Sequence, residues 1–369
     1  MDQQLAEVFP AGEYLADELE ARGWTQSDFA SILGRPTQFV SEIINGKKEI
    51  TRESAAQIGS ALGTSAELWL NLQNTYLLRR QSEDPRARGD LDRIERRARL
   101  NTLVPLNALR KRGWITTGSD EETETQVLDL LGMARLDEEP RFQIAARRSN
   151  DGDPLTPVQI AWLAQARRVA GSVTVRPFDR LRLEGLAPSI ARHVADPAGF
   201  ADLPALLSDV GVRLVYVEAL PGSKLKGASF VVDDDSPVLA LSGHGKRLDK
   251  VLFTLMHEIA HVIRGDVGTA GLLIDDDHHT LGDETATDDL AGRWVIPSWE
   301  SEVPTPVTRS WVERQALRLG VHPIVVVGRL QRDHRLPWHS SLARGAPTVI
   351  EYLAGWHKHA GRAGAVSSR

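Results

Sequence analysis

Residues 256–265, MHEIAHVIRG, decide the fold of the C-terminal half of this chain, because they place three titratable side chains in an apolar run. His257, Glu258 and His261 form the pattern H-E-x-x-H, and positions four apart lie on one face of a helix. Both imidazoles can therefore point at one ion, while Glu258 can reach a water bound to it. Unpaired charges in a buried helix are costly, and a zinc ion would supply their partner. The pattern predicts a zinc site.

The third ligand is predicted in residues 282–297, GDETATDDLAGRWVIP. Glu284 would complete a two-histidine, one-glutamate set and leave the fourth position open for water, as in catalytic zinc sites. Asp288, one turn later, could accept the ring N–H of a ligating histidine and fix its tautomer. The alternative interpretation of Glu284 and Asp288 is the solvated acidic start of a helix. The histidines interpreted as exposed loop residues rather than ligands are His244, His278 and His279.

The composition is that of a globular protein with more than one domain. The 369 residues exceed what one core usually serves, and 41% of them are hydrophobic and 25% charged. No long apolar run or secretion signal is present, and no cysteine is available for disulfides or for zinc, so we expect a cytoplasmic protein. The net charge of −6 argues against non-specific nucleic-acid affinity, but it leaves room for a small DNA-reading module.

Residues 1–80 have the spacing of a five-helix module. Thr25 and Thr51 are good N-caps, while Gly23 and Gly34 stand where helices end. The predicted helices are residues 13–22, 25–33, 36–44, 51–62 and 68–76. Two short helices around a tight glycine-containing turn predict a helix-turn-helix, whose third helix would lie in the major groove of DNA.

The third helix supplies the predicted base-reading side chains, because residues near its N-terminus face the base edges. These residues are Thr37, Gln38, Ser41 and Glu42. The other candidate DNA-binding residues flank this helix: Gln26, placed to bond a phosphate, and Asn45, Lys47 and Lys48. The alternative is a helical scaffold that binds protein, since residues 1–80 contain more acids than bases.

Two family resemblances follow from these motifs. Residues 12–73 resemble the Xre/Cro-type helix-turn-helix of the HigA/VapI antitoxin group, through T-Q-S, S-E-I-I-N-G-K and A-L-G-T-S-x-x-x-W-L-N-L-Q. Residues 206–297 resemble the ImmA/IrrE family of zinc metallopeptidases, through F-T-x-x-H-E-x-x-H and E-x-x-A-N/D-x-F-A ahead of a proline. Together the two matches cover roughly half of the chain.

The second resemblance implies a role for each matching residue. His257, His261 and Glu284 stand at the positions of the zinc ligands and Glu258 at that of the catalytic glutamate, while Asp288 falls on the N/D position. The departures from the family pattern are Thr287 in place of alanine, Leu290 in place of phenylalanine, and Ala286 where a second glutamate is common. None of these changes affects the ligand set or the catalytic glutamate.

The expected fold is mainly α with a small β-sheet. It comprises an N-terminal five-helix helix-turn-helix domain (1–80), a helical linker or middle region (81–200), a C-terminal α+β zincin-like metallopeptidase domain (201–300), a helical extension (301–357) and a disordered tail (358–369). Strands are predicted at residues 212–217, 228–232 and 238–241, forming an antiparallel sheet. Residues 81–112 carry a basic excess that either extends the DNA footprint or forms a solvated linker.

The two halves together predict a DNA-binding transcriptional regulator, antitoxin-like, with a zinc-dependent endopeptidase domain. Its expected partners are double-stranded operator DNA and a protein substrate, which is either a partner repressor or antitoxin or the chain itself. A homodimer is expected because helix-turn-helix modules read paired half-sites, and no membrane partner is expected. The alternatives are a repressor with a non-catalytic metallopeptidase-like sensor, and the peptidase toxin of a toxin–antitoxin pair.

Overall fold

The computed structural model of the chain describes residues 8–142, 145, 154–232, 234–267, 271–276, 285–299 and 303–356. It divides into two compact units, Met1–Arg96 and Arg97–Arg369. The division therefore falls later than the predicted boundary at residue 80. Of the predicted middle region, residues 97–200 belong to the second unit.

The first unit is helical throughout its described residues. Its helices are α1 (Ala11–Ala21), α2 (Gln26–Leu33), α3 (Thr37–Ile44), α4 (Arg52–Leu62), α5 (Ala66–Glu83) and α6 (Pro85–Leu103), the last of which continues into the second unit.

Side-chain caps set the helix starts that the sequence predicted. The Thr25 hydroxyl accepts a hydrogen bond from the Asp28 backbone N–H, and the Asp28 carboxylate accepts one from the Thr25 N–H at 3.0 Å. Thr51 caps α4 with Ser54 in the same reciprocal way. Gly34, which ends α2, has a φ of 65°, a conformation that glycine adopts without strain. The five predicted helices of this module are confirmed, although α5 is longer than expected.

The second unit combines helices with one sheet. Its elements are α7 (Leu106–Lys111), α8 (Asp120–Leu131), α9 (Pro157–Ala170), α10 (Arg180–His193), α11 (Leu203–Ser208), β1 (Arg213–Tyr216), β2 (Leu225–Val231), β3 (Pro237–Leu241), α12 (Leu248–Arg264), β4 (Leu272–Asp276), α13 (Thr285–Val295), α14 (Arg309–Leu319), α15 (Pro323–Arg332) and α16 (Ile350–Gly355), with 3₁₀ turns at Pro197–Asp202 and Ser341–Ala343.

The sheet has the order β1-β3-β2-β4. β2 runs antiparallel to both of its neighbours, and β1 runs parallel to β3. The prediction of an antiparallel sheet is therefore correct for β2 and β3 and wrong for β1. β1 pairs with β3 on the side away from β2, and β4 was not predicted.

Helices cover both faces of this sheet, which explains why β3 is buried along its whole length. Because side chains alternate along a strand, Leu239 and Leu241 face the core built around α12, while Val238 and Ala240 face a second core. The second core is formed with α7, α8 and α9. The buried indole of Trp162 on α9 donates a hydrogen bond to the Val217 carbonyl at 2.8 Å, which ties these helices to the sheet. The described helices α7, α8 and α9 of the predicted middle region thus pack against the sheet of the second unit.

The helices in the described ranges include none that is long and apolar enough to cross a membrane. The predicted tail at 358–369 lies outside the described residues.

Candidate metal centre and DNA-reading helix

The H-E-x-x-H residues lie on α12, which is buried on nearly every side between the sheet and α13. His257 is 8% exposed, Glu258 1% and His261 6%. The helix ends at Gly265, whose φ of 83° turns the chain back toward the histidines. Three titratable side chains are thus held at one point, among apolar neighbours on the same helix.

The two imidazoles meet at their Nε2 atoms, which lie 3.0 Å apart. His257 directs Nδ1 at Asp288 Oδ1, at 2.9 Å, and His261 directs Nδ1 at Asp266 Oδ2, at 3.0 Å. Since a carboxylate only accepts hydrogen bonds, each Nδ1 carries a hydrogen, and in a neutral ring the Nε2 then presents a lone pair to the other ring. Two nitrogens placed in this way are a pair of donors that a metal ion could use.

Each orienting carboxylate is itself held by an arginine. Arg332 on α15 contacts Asp288 Oδ2 at 2.6 Å, and Arg264 contacts Asp266 Oδ2 at 3.0 Å. Asp288 lies where the sequence suggested a partner for a ligating histidine. The sequence analysis missed Asp266, although its position one residue after the helix-ending Gly265 is the signal that could have identified it.

Glu258 is buried beside the sheet, with one carboxylate oxygen hydrogen-bonded and the other without a hydrogen-bond partner among the described residues. The Ser229 hydroxyl on β2 donates to Oε2, while the buried Oε1 has no hydrogen-bond partner among the described residues. β2 comes this close because residue 227 is glycine. A Cβ at Gly227 would lie 2.6 Å from Glu258 Oε1 and 2.9 Å from Thr254 Cγ2. The chain therefore keeps space open around the unpartnered oxygen.

The electrostatics of the centre follow from burial and close charges. Burial raises the pKa of Glu258 to about 7 despite the two nearby imidazoles. Burial also disfavours the charged form of His257, but the hydrogen bond to Asp288 and the Glu258 charge outweigh it, so the pKa of His257 is raised. For Asp288, burial opposes ionisation, while His257 and Arg332 outweigh it and lower the pKa. Glu258 is thus poised to exchange a proton near neutral pH.

A cavity of about 640 Å³, the side pocket, opens beside His257. Its walls include residues of α12, α13 and α15 together with the rim of β2 and β4. His244, interpreted as a loop residue, is exposed and lines this pocket. The pocket gives an extended ligand room to reach the imidazole of His257.

The residues present fit a zinc ion in donor chemistry, because two neutral imidazoles oriented by carboxylates are a recurring ligand arrangement. The predicted third ligand Glu284, and also His278 and His279, lie outside the described residues. In the ranges that the structure describes, no group of three or more histidine, cysteine or acidic side chains is placed to hold a metal ion. The third ligand therefore stays a prediction.

The predicted DNA-reading helix is α3, and most of its candidate residues lie on the surface. Gln26, Thr37 and Gln38 are exposed, and Ser41 and Glu42 are half-buried. The exposed residues after the helix are Asn45, Lys47 and Lys48. These positions leave a polar face available to DNA.

Glu42 organises part of this surface. Its Oε1 accepts a hydrogen bond from Gln38 Nε2 at 2.8 Å, and Lys48 Nζ lies 3.3 Å from Oε2. The Gln38 hydrogen bond and Lys48 lower the pKa of Glu42, so it is ionised at neutral pH. This hydrogen bond holds the amide nitrogen of Gln38, so the amide oxygen of Gln38 remains able to accept a hydrogen bond. Asn45 is held in a similar way, through the Ser41 carbonyl at 2.7 Å.

The basic stretch 81–112 uses part of its charge internally. Arg97 makes a two-pronged contact with Asp120, and Arg93 pairs with Asp90. Arg112 bonds to Glu218 and to the Ala219 carbonyl. These contacts engage three arginines of the stretch, and the two interpretations, an extended DNA footprint and a solvated linker, stay predictions.

Comparison with known proteins places a helix-turn-helix domain at residues 15–69, where a family model described as helix-turn-helix matches. An uncharacterised helix-turn-helix-type transcriptional regulator of Escherichia coli, YddM, is 28% identical over 67 residues, which are 18% of this chain and 71% of that protein. A solved structure from Nostoc punctiforme, described as an antidote protein of a plasmid maintenance system, is 38% identical, covers 21% of this chain and 90% of its own, and has a TM-score of 0.20. Residues 15–69 are thus a helix-turn-helix domain, and the match ends well before α12.

Proposed function

We propose that this chain is a sequence-specific DNA-binding regulator, antitoxin-like, whose C-terminal unit is a zinc-dependent endopeptidase of narrow specificity. The helix-turn-helix at residues 15–69 and its similarity to a transcriptional regulator support the DNA-binding part. One observation carries the peptidase part. Two imidazole Nε2 atoms lie 3.0 Å apart beside a fully buried glutamate, one oxygen of which has no hydrogen-bond partner among the described residues.

His257 and His261 would hold the zinc ion, with Glu284 as the predicted third ligand. The ion would supply the Lewis acidity that activates water and polarises a scissile carbonyl. Asp288 and Asp266 hold the two rings in the tautomer that leaves Nε2 available. Ser229 holds Glu258 Oε2, so Oε1 is the atom that takes a proton from the attacking water and returns it to the leaving amine.

The peptidase is tested with Glu258→Gln, which keeps the shape of the side chain and removes its basicity. We expect stoichiometric zinc by elemental analysis in both the wild type and the variant. New protein N-termini, mapped across cells expressing each form, should appear only with the wild type. The exposed Glu184 provides a matched control, because Glu184→Gln should cleave like the wild type.

Two outcomes would remove the peptidase proposal. A purified chain without zinc would remove its basis. Zinc-loaded protein whose N-terminal peptides are unchanged by Glu258→Gln would favour the regulator with a non-catalytic sensor domain.

The DNA-reading part is tested at the promoter of the chain's own gene. Gln38→Ala and Ser41→Ala should each weaken binding to that promoter fragment in an electrophoretic mobility-shift assay, since each good base contact contributes about 1–3 kcal/mol of discrimination. Gln81→Ala, an exposed change on α5, should leave the shift unaltered. Unchanged affinity and base preference in both α3 variants would contradict the assignment of α3 as the reading helix.

A further inference from the structure

The side pocket is lined by unequal numbers of acidic and basic side chains. Its acidic lining residues are Asp249, Asp275 and Asp288, and its lysine and arginine lining residues are Lys226, Arg247, Lys250, Arg329 and Arg332. Each of these aspartates already pairs with a cation of the wall: Asp275 with Lys226, Asp249 with Arg247, and Asp288 with Arg332. Arg329 pairs with Asp333, just outside the lining. The described walls therefore carry more positive than negative charge.

Lys250 makes no ion pair with any carboxylate in the described part of the chain. Its ammonium lies 3.8 Å from the centroid of the Trp338 ring, which is 55% exposed. Burial lowers the pKa of Lys250, so the charged form would gain from a partner. Within the same described ranges, the buried Nη1 of Arg332 also lacks an acceptor. Of these two cations, Lys250 thus has a charge that an anion in the pocket can meet.

The lining also contains apolar surface, from residues such as Phe253, Ile274 and Val325. A ligand that suits such walls has a short apolar stem and an anionic end. A carboxylate on a peptide has this form, because the stem packs against the apolar residues and the charge meets the ammonium.

We propose that the side pocket receives a carboxylate of the substrate peptide, from an acidic side chain or from its C-terminus, and that Lys250 is the residue that selects for it. The inference rests on the proposed peptidase function and names the substrate class of that site. Lys250 and His257 lie seven positions apart on one face of α12, which corresponds to about 10 Å along the helix. An extended peptide crosses this distance in about three residues, so the carboxylate lies within about three residues of the cleaved bond.

The test measures binding without needing cleavage. The probe protein is full-length Glu258→Gln chain labelled with 5-fluorotryptophan, and the ¹⁹F resonance of Trp338 is assigned with Trp338→Phe. Three N-acetylated alanine pentapeptides are titrated: one with a central glutamate and one with a central glutamine, both amidated at the C-terminus, and an all-alanine peptide with a free C-terminal carboxylate. A charge-assisted bond predicts that one of the carboxylate peptides binds about tenfold or more tightly than the glutamine peptide.

The variants separate charge from shape. Lys250→Met keeps the stem and should bring all three peptides to equal affinity, whereas Lys250→Arg should keep the preference. The exposed Lys246, outside the pocket lining, is the control, and Lys246→Met should behave like the parent protein. Preference for the glutamate peptide identifies a side-chain carboxylate, and preference for the free C-terminus identifies the α-carboxylate.

The inference is overturned if the ¹⁹F resonance of Trp338 reports no tighter binding of a carboxylate peptide at concentrations up to the solubility limit. It is also overturned if the preference survives Lys250→Met. The experiment distinguishes a failure of this inference from a failure of the proposed activity. Carboxylate-selective binding in a chain that holds no zinc would refute the peptidase and keep the pocket assignment. Glu258-dependent cleavage without this selectivity would refute the pocket assignment and keep the peptidase proposal.

Discussion

At the scale of single residues, the two imidazoles of α12 take their orientation from carboxylates on different segments. Asp288 comes from α13 and is braced by Arg332, while Asp266 comes from the turn after α12 and is braced by Arg264. Each carboxylate fixes a ring tautomer, which a ligating nitrogen requires. The alignment of the two rings thus depends on residues outside the H-E-x-x-H pattern.

We expect Asp288→Asn and Asp266→Asn each to weaken zinc binding by about 10- to 100-fold, because a ligating histidine loses its carboxylate partner. Competition with a chromogenic chelator measures this affinity. Asp289→Asn changes an exposed neighbour on the same helix and should leave the affinity unaltered. Unchanged zinc affinity in both test variants would show that the two carboxylates have no role in binding.

The sequence predicted part of this centre. His257, Glu258 and His261 follow from one local motif, and Asp288 follows from helical spacing within a second segment. Asp266 could not be assigned by periodicity, because it reaches His261 through the left-handed turn at Gly265. Ser229 and Gly227 come from a strand paired in a register that spacing along the chain does not reveal.

At the scale of elements, α1 and α3 of the helix-turn-helix unit approach each other closely at Gly12. A Cβ there would lie 2.6 Å from the Ile44 carbonyl oxygen at the end of α3. A Cβ at Gly89, in the middle of α6, would meet nothing within 4 Å. The same chemical change therefore has opposite consequences at the two glycines.

Gly12→Ala should destabilise the first unit by about 1–3 kcal/mol, because the methyl group forces α1 away from α3. Gly89→Ala should stabilise it by up to about 1 kcal/mol, because alanine favours the helix and reduces the freedom of the unfolded chain. Amide hydrogen exchange on the full chain, read over residues 15–69, measures both effects. Equal protection in the two variants would mean that the close contact at Gly12 has no energetic role.

The elements themselves were predicted unevenly. Capped helices such as α2 and α4 were predicted correctly, because Thr25 and Thr51 are N-cap residues that mark their first turns. β4 was missed, although its run of apolar residues after Gly271 is a short strand signal, because the acidic residues that follow suggested a loop. The parallel pairing of β1 with β3 depends on long-range packing that covers both sheet faces, which local patterns do not report.

At the scale of the whole molecule, a net charge of −6 limits how the chain can hold DNA. The basic residues around α3 are few, and Lys48 already pairs with Glu42. Affinity should therefore rest on base contacts from α3 more than on phosphate neutralisation, which keeps the acidic chain from binding DNA without regard to sequence.

Operator binding should accordingly have a shallow salt dependence. Each phosphate contact contributes about −0.9 to the slope of log affinity against log salt, so Lys47→Ala should reduce the slope by about one per protomer. Titrations of the promoter fragment at increasing salt measure this slope, and Lys246→Ala, in the second unit, serves as the control. A slope unaffected by Lys47→Ala would exclude a phosphate contact at that residue.

The facing nitrogens of His257 and His261 carry a consequence for the lifetime of the protein in the cell. In the proposed zinc site, a cation held by these two nitrogens, which lie 3.0 Å apart, would favour the folded form over the unfolded one. Under metal starvation, we expect more of the chain to unfold and to be degraded, lowering its abundance with no change in its synthesis. The amount of regulator in the cell would then report zinc supply, which a half-life unaffected by a permeable chelator would contradict.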